Sequence, residues 1–515
     1  MATGAEIMLR TLVGSGVDTC FANPGTSEMQ FVSALDRVPG MRAVLCLSEI
    51  VATGCADGYG RMMERPAVTL LHCGPGFANG VANLHNARRA HTPMVNLVGD
   101  HATWHRQHNP PLASDVEGFA RAASDWVRRI QTIEQAGRDT AEAVKAARAA
   151  PGHIATLIAP ADMAWTQGAE AGAALVPEGP RRVPEARLPE IAAALKSGEP
   201  LLMLLSGAGL SAHGLAAAER VRQATGAELM CPAQVARAAR GRGLPRVDRM
   251  PFGIDAAIAR LARFRHIVLC AASAPAAFFA YPDKPSLLAP PTCRMHVLAS
   301  AEEDTVDALE RLADSCGGAA HIQSGVNTFA HEPVRGAPTS ESFARALTAR
   351  LPAQAIVVDD AVSTGRGFFP LTFDAEPHDW LQVTGGSIGF GLPAATGAAI
   401  ACPGRKVVCV QGDGGAMYSL PALWTQARER LDVVSVVFSN RAYKVLFGEM
   451  AGVGASAGPA ARRLMELNDP SLDWVRLAEG HGVEAARADT MERFDEIFAS
   501  ALSRHGPMMI ELVMD

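Results

Sequence analysis

Two polar stretches stand where strand-like runs end. Lys406–Val410 is apolar and is followed at once by Gln411, Gly412, Asp413, Gly414 and Gly415, while Val433–Phe438 is apolar and ends at Ser439 and Asn440. Ligands of open α/β sheets gather beyond the carboxyl ends of strands, so neighbouring strands would bring Asp413 and Asn440 together. A carboxylate and an amide oxygen are hard ligands suited to Mg²⁺, which fills the rest of its octahedron with phosphate oxygens and water. The glycines would let backbone N–H groups approach those phosphates, and a helix expected to begin near Ser419 would add its dipole. The plainer reading is a Gly-rich turn that binds nothing; the matched Asn440 weighs against it. Glu49 stands at another junction, Leu45-Cys46-Leu47-Ser48-Glu49, ahead of a helix containing Asp57-Gly58-Tyr59-Gly60-Arg61. An acid there can simply serve the helix dipole. His72 ends the run Ala67–Leu71, either as a structural strand-end histidine or as a group able to move protons near neutral pH.

Thr384-Gly385-Gly386-Ser387-Ile388-Gly389-Phe390-Gly391 is a third candidate loop. Its order is GxxGxG rather than GxGxxG and no strand is expected to lead cleanly into it, so a dinucleotide fingerprint is discounted. His101, His105 and His108, with Arg106, follow Met94–Val98. Asn109-Pro110-Pro111 argues for a loop there, read as a polar rim rather than a metal site.

The elements that must hold these residues fall into three α/β blocks. The first covers residues 1–165, with strands expected at Ala43–Leu47, Ala67–Leu71 and Met94–Val98. The second covers 188–318, with Leu201–Leu205, His266–Leu269 and Met295–Leu298. The third covers 339–515, with Ala355–Val358, Lys406–Val410, Val433–Phe438 and Met508–Val513. Short apolar runs bounded by turn residues and followed by helical patterns are the mark of βα units on parallel sheets. Gln167–Arg187 and residues 317–338 read as linkers.

With 515 residues, 48% hydrophobic and 19% charged, the chain has a globular balance and more length than one core needs. A net charge of -6 gives no basic footprint for nucleic acid or a membrane surface. Ten scattered cysteines without a CxxC pair argue against a zinc site and a disulfide framework, and for buried thiols in a reducing compartment. No membrane-spanning run and no signal peptide are read, so a cytoplasmic location is expected.

GDG followed about 25 residues later by Asn resembles the diphosphate motif of thiamine-diphosphate (ThDP) enzymes, with Ser439-Asn440 where that family usually has Asn-Asn. The resemblance implies Mg²⁺ on Asp413, Asn440 and the Ala442 carbonyl. It also implies cofactor contacts from Ser363, Gly414, Gly415 and Tyr443. Glu49 with its DGYxR element resembles the family's pyrimidine domain, where the glutamate hydrogen-bonds the aminopyrimidine and promotes ylid formation. Thr384–Pro393 resembles the segment under the thiazolium, with Ile388 propping the bent cofactor and the Gly386 carbonyl accepting from its amino group. Coverage is essentially the whole chain, in the order pyrimidine, central, diphosphate.

Within that family the match is similar to benzoylformate decarboxylases. Asn23-Pro24-Gly25-Thr26-Ser27-Glu28 resembles their NPGSNE loop, which gives Thr26 a substrate-binding hydroxyl. Leu71-His72-Cys73-Gly74-Pro75-Gly76 resembles LHSAAG, which gives His72 a proton-relay role. Their second histidine, from the central domain, is missing in Ala277-Phe278-Phe279-Ala280-Tyr281-Pro282. That departure adds weight to acetolactate synthase-like carboligation and to a 2-hydroxyacyl lyase. The resemblance therefore implies a decarboxylase or carboligase acting on a 2-oxo acid, working as a homodimer or homotetramer. Ser206-Gly207-Ala208-Gly209 resembles the nucleotide turn of the central domain; FAD fits there but is not the expected cofactor. Phe447–Leu467 reads as a lid. A protein that merely retains ThDP would need Asp413 and Asn440 but not Glu49, so Glu49 argues for turnover.

Overall fold

A computed structural model describes residues 1–168, 170–319 and 333–514. The expected second linker therefore lies largely outside the described residues. Among those described, no helix is long and apolar enough to cross a membrane. All ten cysteines are free thiols, seven of them buried.

Three sheets account for the architecture. The first is built from β1 (Thr19–Ala22), β2 (Arg42–Leu45), β3 (Ala67–His72), β4 (Met94–Asp100), β5 (Trp126–Arg129) and β6 (Ile154–Pro160), in the order β2-β1-β3-β4-β6-β5. The central segment supplies β7 (Leu201–Leu205), β8 (Glu228–Cys231), β9 (Arg237–Arg240), β10 (Asp248–Arg249), β11 (His266–Cys270) and β12 (Arg294–Ala299). Five of these form the second sheet, in the order β10-β8-β7-β11-β12. β9 leaves it and joins the third. That sheet contains β13 (Ile356–Asp360), β14 (His378–Gln382), β15 (Val407–Gly412), β16 (Val433–Ser439), β17 (Glu484–Ala488) and β18 (Met508–Val513), in the order β17-β18-β16-β15-β13-β14-β9. The β9–β14 pair is antiparallel, Arg237 opposite Leu381; all other pairs in the three sheets are parallel.

β3, β15 and β16 read AVTLLH, VVCVQG and VVSVVFS and are buried almost throughout. β-branched residues covered on both faces are what parallel strands between helical layers require. β14 departs from this pattern. It runs HDWLQ, fully buried, and ends two residues before Thr384, so a strand does lead into the glycine loop, against expectation. Its polar residues are satisfied from outside: Asp379 accepts from Arg237 (2.8 Å) and Arg405 (2.7 Å). Paired charges let a polar segment take a buried strand's place.

Two helices join the first and third sheets. α1 (Glu49–Met63) starts on the extended Ser48, with Glu49 in its first turn, and stops at Glu64, whose φ of 53° is left-handed. α2 (Cys73–Arg89) begins where β3 ends. α1 packs on α3 (Gly391–Ala401, sequence GLPAATGAAIA) through glycines. A Cβ at Gly58 would collide with the Ala394 carbonyl and one at Gly397 with that of Cys55. The two backbones therefore touch, and α1 has 13 of its 15 residues buried.

Candidate active site

The first cluster forms at the carboxyl ends of β1 and β3. After β1 the chain makes one 3-10 turn, Thr26–Glu28, which buries the Glu28 carboxylate completely. Glu28 accepts from the Gly25 N–H (2.8 Å), from Ser27 Oγ (2.5 Å) and from His72 Nδ1 (2.8 Å). An ionised carboxylate only accepts, so Nδ1 of His72 carries the proton and Nε2 is left with its lone pair. The hydroxyl that reaches His72 is that of Ser27, 3.0 Å from Nδ1; Thr26, expected to offer a hydroxyl to substrate, is exposed.

Glu49 is 8% exposed and its Oε2 accepts from Asn79 Nδ2 at 2.7 Å. Gly76 lies between it and His72: a Cβ there would stand 2.8 Å from Glu49 Oε1 and 3.2 Å from His72 Cβ. The two residues thus flank the first turn of α2.

The second cluster forms at the carboxyl ends of β13, β15 and β16. β15 and β16 are neighbours, with Gly412 opposite Phe438. Asp413 starts a helical turn at once (Asp413–Ala416), ahead of the helix expected near Ser419. Its Oδ1 accepts from Gly414 N–H (2.8 Å) and its Oδ2 from Arg441 N–H (2.6 Å); Asn440 Oδ1 accepts from Ala442 N–H (3.0 Å). Burial raises the Asp413 carboxyl above its ordinary range, a cost that a cation beside it would offset. The Tyr443 ring covers Gly414, and Ile388 Cβ would lie 3.5 Å from a Cβ at Gly415. Ser363 is half-buried on the turn after β13, next to Val362, a β-branched residue held at φ 47°. Such strain gathers at functional turns.

The loop carrying Gly386 and Ile388 is held from two sides. From within its own sheet, Asp360 Oδ2 accepts from the N–H groups of Gly389 (2.9 Å), Phe390 (3.0 Å) and Gly391 (3.1 Å) and from Gln411 Nε2 (2.9 Å). From the first block, fully buried Asn86 on α2 accepts at Oδ1 from Gly385 N–H (3.1 Å) and Ser387 N–H (3.3 Å) and donates to Ser387 O (2.8 Å). Arg61, paired with Asp57 at 2.6 Å, donates to Gln382 O (2.6 Å) and Thr384 Oγ1 (3.2 Å) and lies over the Phe390 ring at 4.5 Å. The central segment adds Phe278, whose ring fills the space a Cβ would need at Gly386 (φ 73°). Near it, Tyr281 donates to Glu449 Oε2 at 2.5 Å, Glu449 being on α4 (Lys444–Gly452) within the expected lid.

Glu28, Asn86 and Asp360 were not singled out from sequence. Glu28 had a signal, since the acid is shared by NPGTSE and NPGSNE. Asn86 and Asp360 act over sequence distances that leave none. His101, His105 and His108 lie on a loop with one 3-10 turn, as expected. Among the described residues no hydrogen bond links Glu49 or His72 to the Asp413–Asn440 turn. Between the blocks is a cavity of about 1930 Å³, lined in part by Arg88, Arg89, Ser206, Gly207, Ser211 and Arg237.

Residues 2–118 match the thiamine pyrophosphate enzyme N-terminal TPP binding domain, and residues 368–512 the C-terminal TPP binding domain. A Mycobacterium tuberculosis protein named "Putative acetolactate synthase large subunit IlvX" is 46% identical over 99% of both chains. Benzoylformate decarboxylase of Pseudomonas aeruginosa is 29% identical over 96% of both. Among solved structures, the ThDP-dependent 4-hydroxybenzoylformate decarboxylase of Rhodococcus jostii has the same fold, with TM-score 0.87, 24% identity, and coverage of 100% of this chain and 99% of that one.

Proposed function

The chain belongs to the thiamine pyrophosphate enzyme family, and from that premise we propose that it uses ThDP and Mg²⁺ to break or form the carbon–carbon bond next to the carbonyl of a 2-oxo acid. The observation that carries this reading is the pair of clusters, Glu49 with His72 across Gly76 and Asp413 beside Asn440, each at the carboxyl end of a parallel sheet.

The residues fit the groups. Two side-chain oxygens and the Ala442 carbonyl are an all-oxygen set that suits Mg²⁺. Gly414, Gly415, Ser363 and Tyr443 would hold the diphosphate, with Gly386 and Ile388 beside the rest of the cofactor; the Tyr443 ring against Gly414 and Ile388 against Gly415 support this. When bound, ThDP supplies a stabilised carbanion at its thiazolium ring. Glu49 holds a ring nitrogen through its carboxyl group. His72, oriented by Glu28, offers Nε2 to a substrate proton. Asn86 and Asp360 fix the loop on which Gly386 and Ile388 ride.

Because no hydrogen bond joins the two clusters within the described chain, we read the working unit as a homodimer at least, with a homotetramer as its extension. Exposed apolar side chains beside both halves, Leu47 and Met29 near one and Met417 and Tyr418 near the other, suit burial against a second copy. The free thiols accord with a cytoplasmic location.

One feature favours carboligation of the acetolactate synthase kind over a benzoylformate decarboxylase-like outcome. The central segment offers Phe278 and Tyr281 where those decarboxylases have a histidine. The hydrogen bond to Glu449 pushes the Tyr281 phenol up to about 12, too high for it to give up a proton readily near neutrality. With no ready proton donor from the central segment, bond formation to a second carbonyl substrate would be favoured over protonation. Decarboxylation and carboligation are both redox-neutral, so FAD is not required by either.

The test is a titration of purified protein with ThDP and Mg²⁺ by absorbance and circular dichroism, then pyruvate and benzoylformate with product analysis. Saturable binding with release of CO₂ or an acyloin is expected. Glu49→Gln should keep ThDP binding and lose about 10²–10⁴-fold in rate. Absence of ThDP binding would sink the reading.

A further inference from the structure

The cluster around His72 contains three metal-ligating side chains, of which the proposed reaction uses His72 and Glu28 but not Cys73. Cys73 Sγ, a ring nitrogen of His72 and a carboxylate oxygen of Glu28 all lie within 4.8 Å of one another. On a straight strand, consecutive side chains point to opposite faces. Here Cys73 adopts φ 50° at the junction of β3 and α2, a conformation rare for residues other than glycine. With that turn both His72 and Cys73 reach Ser27: its Oγ is 3.0 Å from His72 Nδ1 and 3.2 Å from Cys73 Sγ. Glu28 and Cys73 are completely buried, and the His72 side chain, 21% exposed, is the open side of the cluster.

We propose that Glu28, His72 and Cys73 bind a borderline-soft divalent cation, Zn²⁺ above all, at a site distinct from the Mg²⁺ position at Asp413 and Asn440. Thiolate, imidazole and carboxylate are the three ligand types that zinc takes, whereas the Asp413 set is all oxygen and selects a hard ion. Three protein ligands leave the fourth tetrahedral position to Ser27 Oγ or water. Zinc bonds of about 2.0–2.3 Å put tetrahedral donors roughly 3.3–3.7 Å apart. The Glu28–His72 pair, now at 2.8 Å, has to open by less than about 1 Å.

On binding, the thiol proton leaves to solvent and Sγ takes the metal as thiolate. The imidazole keeps its proton, which moves from Nδ1 to Nε2, and Glu28 exchanges its bond from Nδ1 for coordination. The bound ion fixes His72 and stops its exchange of protons, so zinc would act as a reversible inhibitor that leaves ThDP in place.

The test uses the full chain loaded with ThDP and Mg²⁺ and titrated with Co²⁺, whose thiolate charge-transfer absorption reports a sulfur ligand without reference to turnover. The expected result is a band that saturates at one Co²⁺ per chain and is bleached by Zn²⁺. Cys73→Ser should abolish it, Glu28→Gln should weaken Co²⁺ binding about tenfold or more, and Asp413→Asn should leave the band. ThDP binding by each cysteine and glutamate variant reports that it has folded. No band in protein that binds ThDP, or a band that survives Cys73→Ser, overturns the site while leaving the proposed reaction standing. Loss of ThDP binding by the wild-type chain would instead strike the proposed reaction.

Discussion

Replacing Asn86 by leucine should loosen the loop 384–390 without removing any group proposed to touch cofactor or metal. The side chain makes four hydrogen bonds: from Gly385 N–H, from Ser387 N–H, to Ser387 O and to Asn83 Oδ1 (3.0 Å). Leucine fills a similar volume and offers none of them. A neutral hydrogen bond contributes about 1 kcal/mol net, and a buried group left without a partner costs about 1–3 kcal/mol. Gly385 and Ser387 are only half-buried, so water can reach them and the lower figures apply. The sum is about 2–4 kcal/mol. Asp360 still holds the far end of the loop, so the fold survives. Urea denaturation should show a lowered midpoint with an unchanged slope. If about half of the loss is loop ordering that the cofactor must restore, ThDP affinity falls about 5–30-fold, at 1.4 kcal/mol per factor of ten. An Asn86→Leu protein with the wild-type midpoint and wild-type ThDP affinity would refute the reasoning and leave the loop held by Asp360 and Arg61.

Two further outcomes follow from buried charge. Arg61→Met strands Asp57, whose side chain is 0% exposed, and should cost about 3–5 kcal/mol of stability; Asp57→Leu with Arg61→Met should recover part of that, and equal losses in single and double variants would contradict it. Burial raises Asp360 to about 6, above its ordinary 3.8. The folded state therefore takes up the proton first, and this group costs stability above pH 6, a cost relieved as pH falls from about 6 to 4 and worth up to about 3 kcal/mol. The difference in unfolding free energy between wild type and Asp360→Asn should change across that window; a flat difference would show that Asp360 does not titrate there.

The chemistry-bearing residues were legible because they stand at strand ends, where a change from apolar to polar and glycine-rich composition is local. Leu201–Leu205 and Met508–Val513 were read to the residue for the same reason: uniform apolar runs with clear stops. β14, β5 (WVRR) and β17 (EAARA) carry no such signature. Partners far along the chain, such as Arg237 and Arg405 for Asp379, make β14 a strand, and β5 and β17 are edge strands with little to bury. The Ser27 contact with His72 left no signal in the sequence, because a 3-10 turn at Thr26–Glu28 sets which hydroxyl faces the ring. The helix expected near Ser419 runs over Ala422–Glu429, and a separate short turn, Asp413–Ala416, precedes it.

The position of β9 bears on how the chain can be rearranged. Three consecutive blocks invite treatment as exchangeable cassettes, with residues 188–318 as the middle piece. That piece contains the strand closing one side of the last sheet. Excising it would bare the backbone of β14 along its whole length, an unprotected edge open to pairing with other chains, and would take Arg237 from Asp379. Recombination between relatives should therefore succeed when the breakpoints keep residues 237–240 with 378–382 from a single parent, and should yield aggregates when they do not.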